Sequence, residues 1–198
     1  MKPFAPLIAL ATLVLALLLP AAARADLPGD SLYRLDVALT GQDGRAFRFA
    51  DGAGTPRVVS MFYADCPFMC PLLIDTIRKT EGELPEAARN RLKVLLVSFD
   101  AEHDTPAVLQ ALADKRHIDT TRWTLARAGA TDVRRIAALL DIPFRQLADG
   151  NFSHAGVMIL LDADGRVVAR TETMGKLDPE FIAALEATLA DSATAPSK

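Results

Sequence analysis

The chain holds two cysteines, Cys66 and Cys70, in the stretch Tyr63-Ala-Asp-Cys-Pro-Phe-Met-Cys-Pro71, with three residues between them and a proline after each. Three chemistries are open to such a pair: a disulfide staple, a redox couple, or part of a soft-metal site. A disulfide here would close a loop of only five residues. The entropy that a cross-link removes from the unfolded chain falls with loop length, so the bond would do little as a staple. The C-x-x-x-C spacing sets the sulfurs about one helical turn apart, so both can face one side. A C-x-x-C pair would point directly to dithiol exchange; the extra residue leaves redox chemistry open without singling it out. As ligands, two thiolates suit Cu(I), zinc or iron–sulfur chemistry. With no further cysteine, an iron–sulfur cluster or a four-thiolate zinc site is excluded within one chain, and the missing ligand has to be His or Met.

The elements around the pair give the sulfurs their setting. Arg57 to Tyr63 (RVVSMFY) is an apolar, β-branched run bounded by turn residues, which predicts a buried strand. Cys66 lies at the turn after it, the carboxyl end of a strand, where ligands bind in open α/β sheets. Leu72, Leu73, Thr76, Ile77 and Thr80 then fall at helical spacing. Cys70 is placed in the first turn of that helix, where free backbone N–H groups favour a thiolate, so a lowered pKa is expected there. Pro67 and Pro71 stiffen the loop and fix where the helix starts.

Leu92 to Phe99 reads as a second buried strand, and Thr105-Pro106 as the capped start of a helix. Arg122 to Ala126 predicts a third strand, and Thr131-Asp132 caps a helix running through Leu140. Val157 to Leu161 and Arg166 to Arg170 form strands joined by the turn Asp162-Ala-Asp-Gly165, and Asp178-Pro179 opens a last helix to about Ala190. Upstream, Leu35, Val37 and Leu39 alternate, Gly41 to Gly44 turn the chain, and Phe47 and Phe49 alternate again, which predicts an N-terminal β-hairpin. The order alternates strands and helices as one α/β domain does, and the closing hairpin makes the central sheet, flanked by helices, a mixed one.

The ends of the chain are different in kind. Lys2 precedes an apolar run of 13 residues, Leu7 to Leu19, and Ala23-Arg-Ala25 supplies small residues for cleavage. Residues 1–25 therefore read as an export signal, or as an anchor if uncleaved, since the run is short for a membrane span. The domain is expected over 26–190 and a flexible tail over 191–198. Removing residues 1–25 takes away Lys2 and Arg24 and no acidic residue, leaving 20 basic against 25 acidic residues, a net charge of −5. No dense basic run appears, so nucleic acid is excluded as a partner.

Three histidines compete for the place of third ligand: His103, His117 and His154. His103 sits in the acidic loop Asp100-Ala-Glu-His-Asp104, and His117 follows Lys115-Arg116 at a helix C-terminus, where a positive charge is favourable. His154 precedes the strand Val157 to Leu161. Of the methionines, Met61 and Met158 lie in buried strands, and Met69 lies between the cysteines as a possible weak ligand.

Three segments in order resemble one family, the SCO/SenC copper-binding proteins, over roughly Leu35 to Leu189. Cys66-Pro-Phe-Met-Cys70-Pro71 after Phe62-Tyr63 resembles its C-P-x-x-C-P signature. Ser98-Phe-Asp-Ala-Glu-His-Asp-Thr-Pro106 resembles its S-x-D-P-x-x-D-T-P segment, and Phe152-Ser-His154 with Leu161-Asp-Ala-Asp-Gly165 its metal-histidine region. The resemblance implies a thioredoxin-like fold, in which the loop before Val157 faces the turn after the first buried strand. It further implies that Cys66, Cys70 and His154 bind one copper ion, Cu(I) or Cu(II), for delivery to the copper-bearing subunit of a cytochrome c oxidase or to another copper chaperone. An exported, periplasmic monomer working near the membrane is the matching expectation. Cys66 and Cys70 would alternatively be the redox pair of a thiol–disulfide reductase that keeps copper-site cysteines reduced, or the switch of a redox or copper sensor. The chain departs from the family pattern at Ser153, where an acidic residue is common, at Phe68, which makes the rim more apolar, and at Ala101 and His103 in the second segment. Asp100 and Asp104 are read as loop and helix caps.

Overall fold

Strand β3, Arg57–Phe62, is buried at every position but its first, and it lies near the middle of a seven-stranded sheet. The computed structural model describes residues 27–194, so the export segment read over residues 1–25 lies outside the described residues. The sheet also contains β1 (Ala38–Gly41), β2 (Ala46–Arg48), β4 (Lys93–Ser98), β5 (Trp123–Arg127), β8 (Met158–Leu161) and β9 (Val167–Thr171), in the spatial order β2-β1-β5-β4-β3-β8-β9. Strands β3, β4 and β5 run parallel, while β8 is antiparallel to β3 and β9 to β8. Strands buried on both faces read as continuous apolar runs, which is why β3, β4 and β8 were legible as such. The expected N-terminal hairpin is β1–β2, with Leu39 opposite Phe47. The mixed sheet flanked by helices is a thioredoxin-like arrangement.

Among the described residues five α-helices flank the sheet: α1 (Met69–Gly82), α2 (Glu86–Arg91), α3 (Pro106–Lys115), α4 (Ala130–Leu139) and, after the last strand, α5 (Pro179–Thr194). Helix α1 buries Leu73, Thr76, Ile77 and Thr80 at the spacing its sequence announced, with Ile74 beside them, while Leu72 stands exposed. The Thr105 side chain accepts the Val108 N–H at 3.3 Å, so α3 begins with the expected cap. Helix α4 does not: its cap is Gly129, and Asp132, read as a cap, instead pairs with Arg135 at 2.8 Å. Helix α5 runs to Thr194, past Ala190 and into the segment read as a tail; Ala-rich sequence continues the helix, and Ser192 Oγ donates back to the Leu189 carbonyl at 2.9 Å. No helix among the described residues is long and apolar enough to cross a membrane.

Two features were not expected. Helix α2 is a single short turn-and-a-half after Pro85. Strands β6 (Phe144–Gln146) and β7 (Phe152–His154) pair antiparallel in a small second sheet, Phe144 opposite His154. Each is three residues long, too short for alternation to show, although Asp149-Gly150 with Gly150 at φ +87° marks the turn between them.

Candidate metal centre

The chain leaves β3 at Phe62 and turns through Tyr63-Ala-Asp into Cys66, whose N–H donates to the Tyr63 carbonyl at 3.3 Å. Helix α1 then starts at Met69 with no side-chain oxygen on its cap residue, Phe68. Cys66 Sγ takes that role, accepting the Cys70 N–H at 3.3 Å. Pro71 is in the first helical turn, where its missing N–H leaves no hydrogen bond unmade. The Tyr63 N–H points at Cys70 Sγ at 3.4 Å. Both sulfurs are thus oriented by backbone amides at a helix N-terminus.

The loop has a second support. The buried Asp104 carboxylate accepts the Ala64 N–H at 2.9 Å and the Ser98 hydroxyl, and Ser98 Oγ in turn accepts the Asp100 N–H at 2.9 Å. The end of β4 is therefore tied to the turn that carries Cys66. Asp104 is more than the local cap read from sequence: it bridges two loops. Asp100 is a loop cap as read, accepting the Glu102 and His103 N–H groups.

His154 arrives on the segment that leads into β8, the strand next to β3. The antiparallel register sets Val59 against Ile159 and Val58 against Leu160, so the residues before Met158 lie over the carboxyl end of β3. His154 ends β7 rather than sitting in a loop, and its ring packs on Phe99 (centroids 4.9 Å apart) and edge-on to Tyr63 (6.0 Å). Phe144 and Phe152 close the aromatic wall behind Phe99 and Tyr63. His154 Nδ1 lies 3.0 Å from the Ala155 carbonyl, which only accepts, so Nδ1 carries a proton and Nε2 is the nitrogen turned to the sulfurs. Nε2 faces Cys70 Sγ at 3.8 Å, and the three donor atoms of Cys66, Cys70 and His154 all lie within 4.8 Å of one another.

His103 and His117 are elsewhere. His103 is exposed and its Nδ1 meets Asp100 at 2.8 Å, an ion pair that raises its pKa, while His117 takes a left-handed conformation (φ 51°) just past α3. Among the described residues no other group of three His, Cys, Asp or Glu converges in this way.

The two thiols share one proton, and it is held by the other sulfur than the helix position suggests. A hydrogen bond from Cys70, reinforced by the Cys70 N–H and opposed by burial, lowers the Cys66 pKa to about 4. The same bond to Cys66, with burial, drives Cys70 far up. Cys70 occupies the first turn, but its own amide points to Cys66, so Cys66 receives the helix N-terminal field and Cys70 keeps the proton. Cys66 is 9% exposed and Cys70 3%, while Phe68 stands 83% exposed on the rim.

Both cysteines line a cleft walled by Asp65, Pro67, Lys115 and Arg116, and the two thiols and an imidazole form a soft, three-donor set. It fits Cu(I) well, and with donors this close an ion can bond all three after sub-ångström adjustments, since metal–sulfur and metal–nitrogen bonds run about 2.0 to 2.3 Å. One half-buried residue near the site was missed in the sequence, Met174, whose thioether, like that of Met69, lies against Gly156. Its position in a loop after β9 gave no periodic signal, although it is one of only five methionines.

The sequence pattern of the SCO1/SenC family matches residues 27–190. A protein of Stutzerimonas stutzeri named for copper binding is 24% identical over 146 residues, which are 72% of this chain and 70% of that one. The structure of Bradyrhizobium japonicum ScoI with copper bound superposes with a TM-score of 0.62 at 20% identity, covering 78% of this chain and 98% of that one. BsSco, described with a disulfide switch and as one of the Sco family of cytochrome c oxidase assembly proteins, gives a TM-score of 0.66 at 16% identity, covering 79% and 92%.

Proposed function

The chain belongs to the SCO1/SenC family, and from that premise we propose that it is a copper chaperone that holds one copper ion on Cys66, Cys70 and His154. The observation that carries this reading is the convergence of two sulfurs and Nε2 within 4.8 Å, from segments 84 residues apart. A dithiol reductase needs only the sulfurs. A copper site uses the imidazole as a ligand as well, with its Nδ1–H fixed on a carbonyl and its Nε2 turned toward Cys70. Three donors hold Cu(I) while leaving a coordination position through which a partner's ligand enters, whereas a closed four-ligand site would retain it.

On the protein side, Cys66 supplies a thiolate at neutral pH without prior deprotonation. Cys70 releases its proton as the ion binds, because a coordinating thiol is deprotonated. His154 is held by the aromatic wall and the Ala155 carbonyl in the tautomer that coordinates. The recipient proposed is the copper-bearing subunit of a cytochrome c oxidase or another copper chaperone, met outside the cytoplasm. Delivery to such a site rests on the family assignment and on the export character of residues 1–25.

A second reading has its own observation. The depressed Cys66 pKa is what a dithiol–disulfide exchanger needs, so the same pair is suited to reducing a partner's copper-site cysteines. The two roles exclude each other at any instant, since a disulfide offers no thiolate.

Metal analysis with thiol titration on the reduced chain separates them. One copper per chain is expected, and His154→Ala should weaken copper binding by at least about tenfold, the scale of a lost metal-site partner, while thiol–disulfide exchange stays largely intact. Full-strength copper binding by His154→Ala would remove the third-ligand assignment, and a reduced wild-type chain that takes up no copper would leave the reductase.

A further inference from the structure

The methionines of the described residues divide by burial. Met61 and Met158 are 0% and 1% exposed, ordinary core side chains. Met69 and Met174 are half-buried, and they come from distant parts of the chain to one point. A Cβ placed on Gly156 would lie 2.7 Å from Met69 Sδ and 3.3 Å from Met174 Sδ, so the two sulfurs lie within the sum of those distances of each other. Only glycine admits this approach: any side chain at position 156 would push the sulfurs aside.

The location ties the pair to the metal centre. Met69 immediately precedes Cys70, and Gly156 follows His154 by two residues. Hydrogen bonds, rather than apolar packing alone, bring Met174 there. The Gly175 N–H donates to Thr76 Oγ1 of α1 at 2.8 Å, with Gly175 in the left-handed region at φ +76°, and the Thr173 N–H donates to Thr171 Oγ1 at 3.1 Å. Leu72 packs on Gly175 from the first turns of α1. The loop that carries Met174 is thus pinned to the helix that carries Met69 and Cys70.

Thioethers are soft donors that bind Cu(I) in preference to hard cations, and they bind it more weakly than thiolates do. They also have no proton to lose. Resting on the copper reading above, we infer that Met69 and Met174 form a second, weaker Cu(I) site beside the Cys66–Cys70–His154 centre, a landing place for the ion on its way in or out. The exchange is ligand substitution without redox change. Copper–thioether bonds break as copper–thiolate and copper–imidazole bonds form, and the ion stays Cu(I) throughout.

The experiment is a Cu(I) titration of the reduced chain against a chromophoric chelator, run alongside NMR of the methionine methyl groups. The wild-type chain should take up one ion tightly and a second weakly. The second should shift the Met69 and Met174 methyls and leave those of Met61 and Met158 in place. Met69→Leu/Met174→Leu, which keeps apolar volume but removes both lone pairs, should retain the tight ion and lose the weak one. The weak ion should bind equally well at pH 5 and pH 7. Uptake of the tight ion alone by wild type overturns the thioether site and leaves the copper centre standing; so does a second ion that persists in the double variant or leaves the two methyls unmoved. Failure of the wild-type chain to take up the tight ion overturns the copper reading and this inference with it. Where the double variant does not fold, the wild-type methyl shifts and the Met174→Leu variant decide the matter.

Discussion

At the scale of single residues, the chemistry of the centre lies in how one proton is divided between two sulfurs. Cys66 accepts both the Cys70 thiol and the Cys70 amide, and so remains charged down to about pH 4. Metal-free, reduced protein should therefore be alkylated by iodoacetamide at a rate that is nearly flat from about pH 5 to pH 8, against an ordinary thiol near 8.5. The sign follows from the shift: below a pKa of about 4 the Cys66 sulfur is protonated and the rate falls, and above it the thiolate is present. Cys70→Ala removes the largest cause of the shift, so the profile of Cys66 should move to higher pH. A wild-type rate that climbs steadily between pH 7 and pH 9 would mean that the two sulfurs do not share a proton. His154 contributes in a different way, through a tautomer selected by the Ala155 carbonyl and a ring orientation set by Phe99 and Tyr63.

The elements meet at the carboxyl ends of β3 and β4, and Asp104 is what joins them. Its carboxylate is buried, which raises its pKa, yet it accepts from both Ala64 and Ser98. Asp104→Ala would leave the buried Ser98 hydroxyl and the half-buried Ala64 N–H without an acceptor, at a cost of about 1–3 kcal/mol for each donor cut off from water. Urea denaturation should show a loss of about 2–5 kcal/mol, below the simple sum because water reaches a loosened loop. Copper affinity should fall as well, since the turn that carries Cys66 loses its tie to β4. A variant as stable as wild type would show that Asp104 is only the local cap its sequence position suggested. The far end of α1 is anchored by a separate network, in which Glu81 accepts from Trp123 Nε1 at 3.2 Å and pairs with Arg122 at 2.6 Å. The helix that bears Cys70 is thus held at both ends.

Across the whole molecule, the centre joins residues that are close only when the sheet is formed. The β3–β8 pairing that brings His154 to Cys70 exists in the native state alone, so copper binding must stabilise the fold. With free Cu(I) at about 100 times its dissociation constant, the gain is about 2.7 kcal/mol, or a melting temperature higher by several degrees for a domain of this size. Differential scanning calorimetry checks this, and the His154→Ala chain should show a smaller rise. Equal rises in both proteins would place the stabilising copper on the cysteines alone.

What the sequence determined by itself was local. The apolar runs of β3, β4 and β8, the phase of α1, the Thr105 cap and the spacing of Cys66 and Cys70 are all written within a few residues, because backbone periodicity and capping act over that range. The resemblance of three segments added a thioredoxin-like fold and the three donors as an expectation. Tertiary structure alone decided which cysteine keeps its proton, because the outcome depends on sulfur–amide distances inside a turn and not on position in a helix. It alone showed Asp104 bridging two loops, and β6 and β7, at three residues each, giving His154 a strand to stand on. It alone brought Met174 and Met69 together at Gly156. Each of these contacts joins groups far apart along the chain or turns on atomic distances, and such contacts are set by sheet register and side-chain packing, which leave no periodic mark on the sequence.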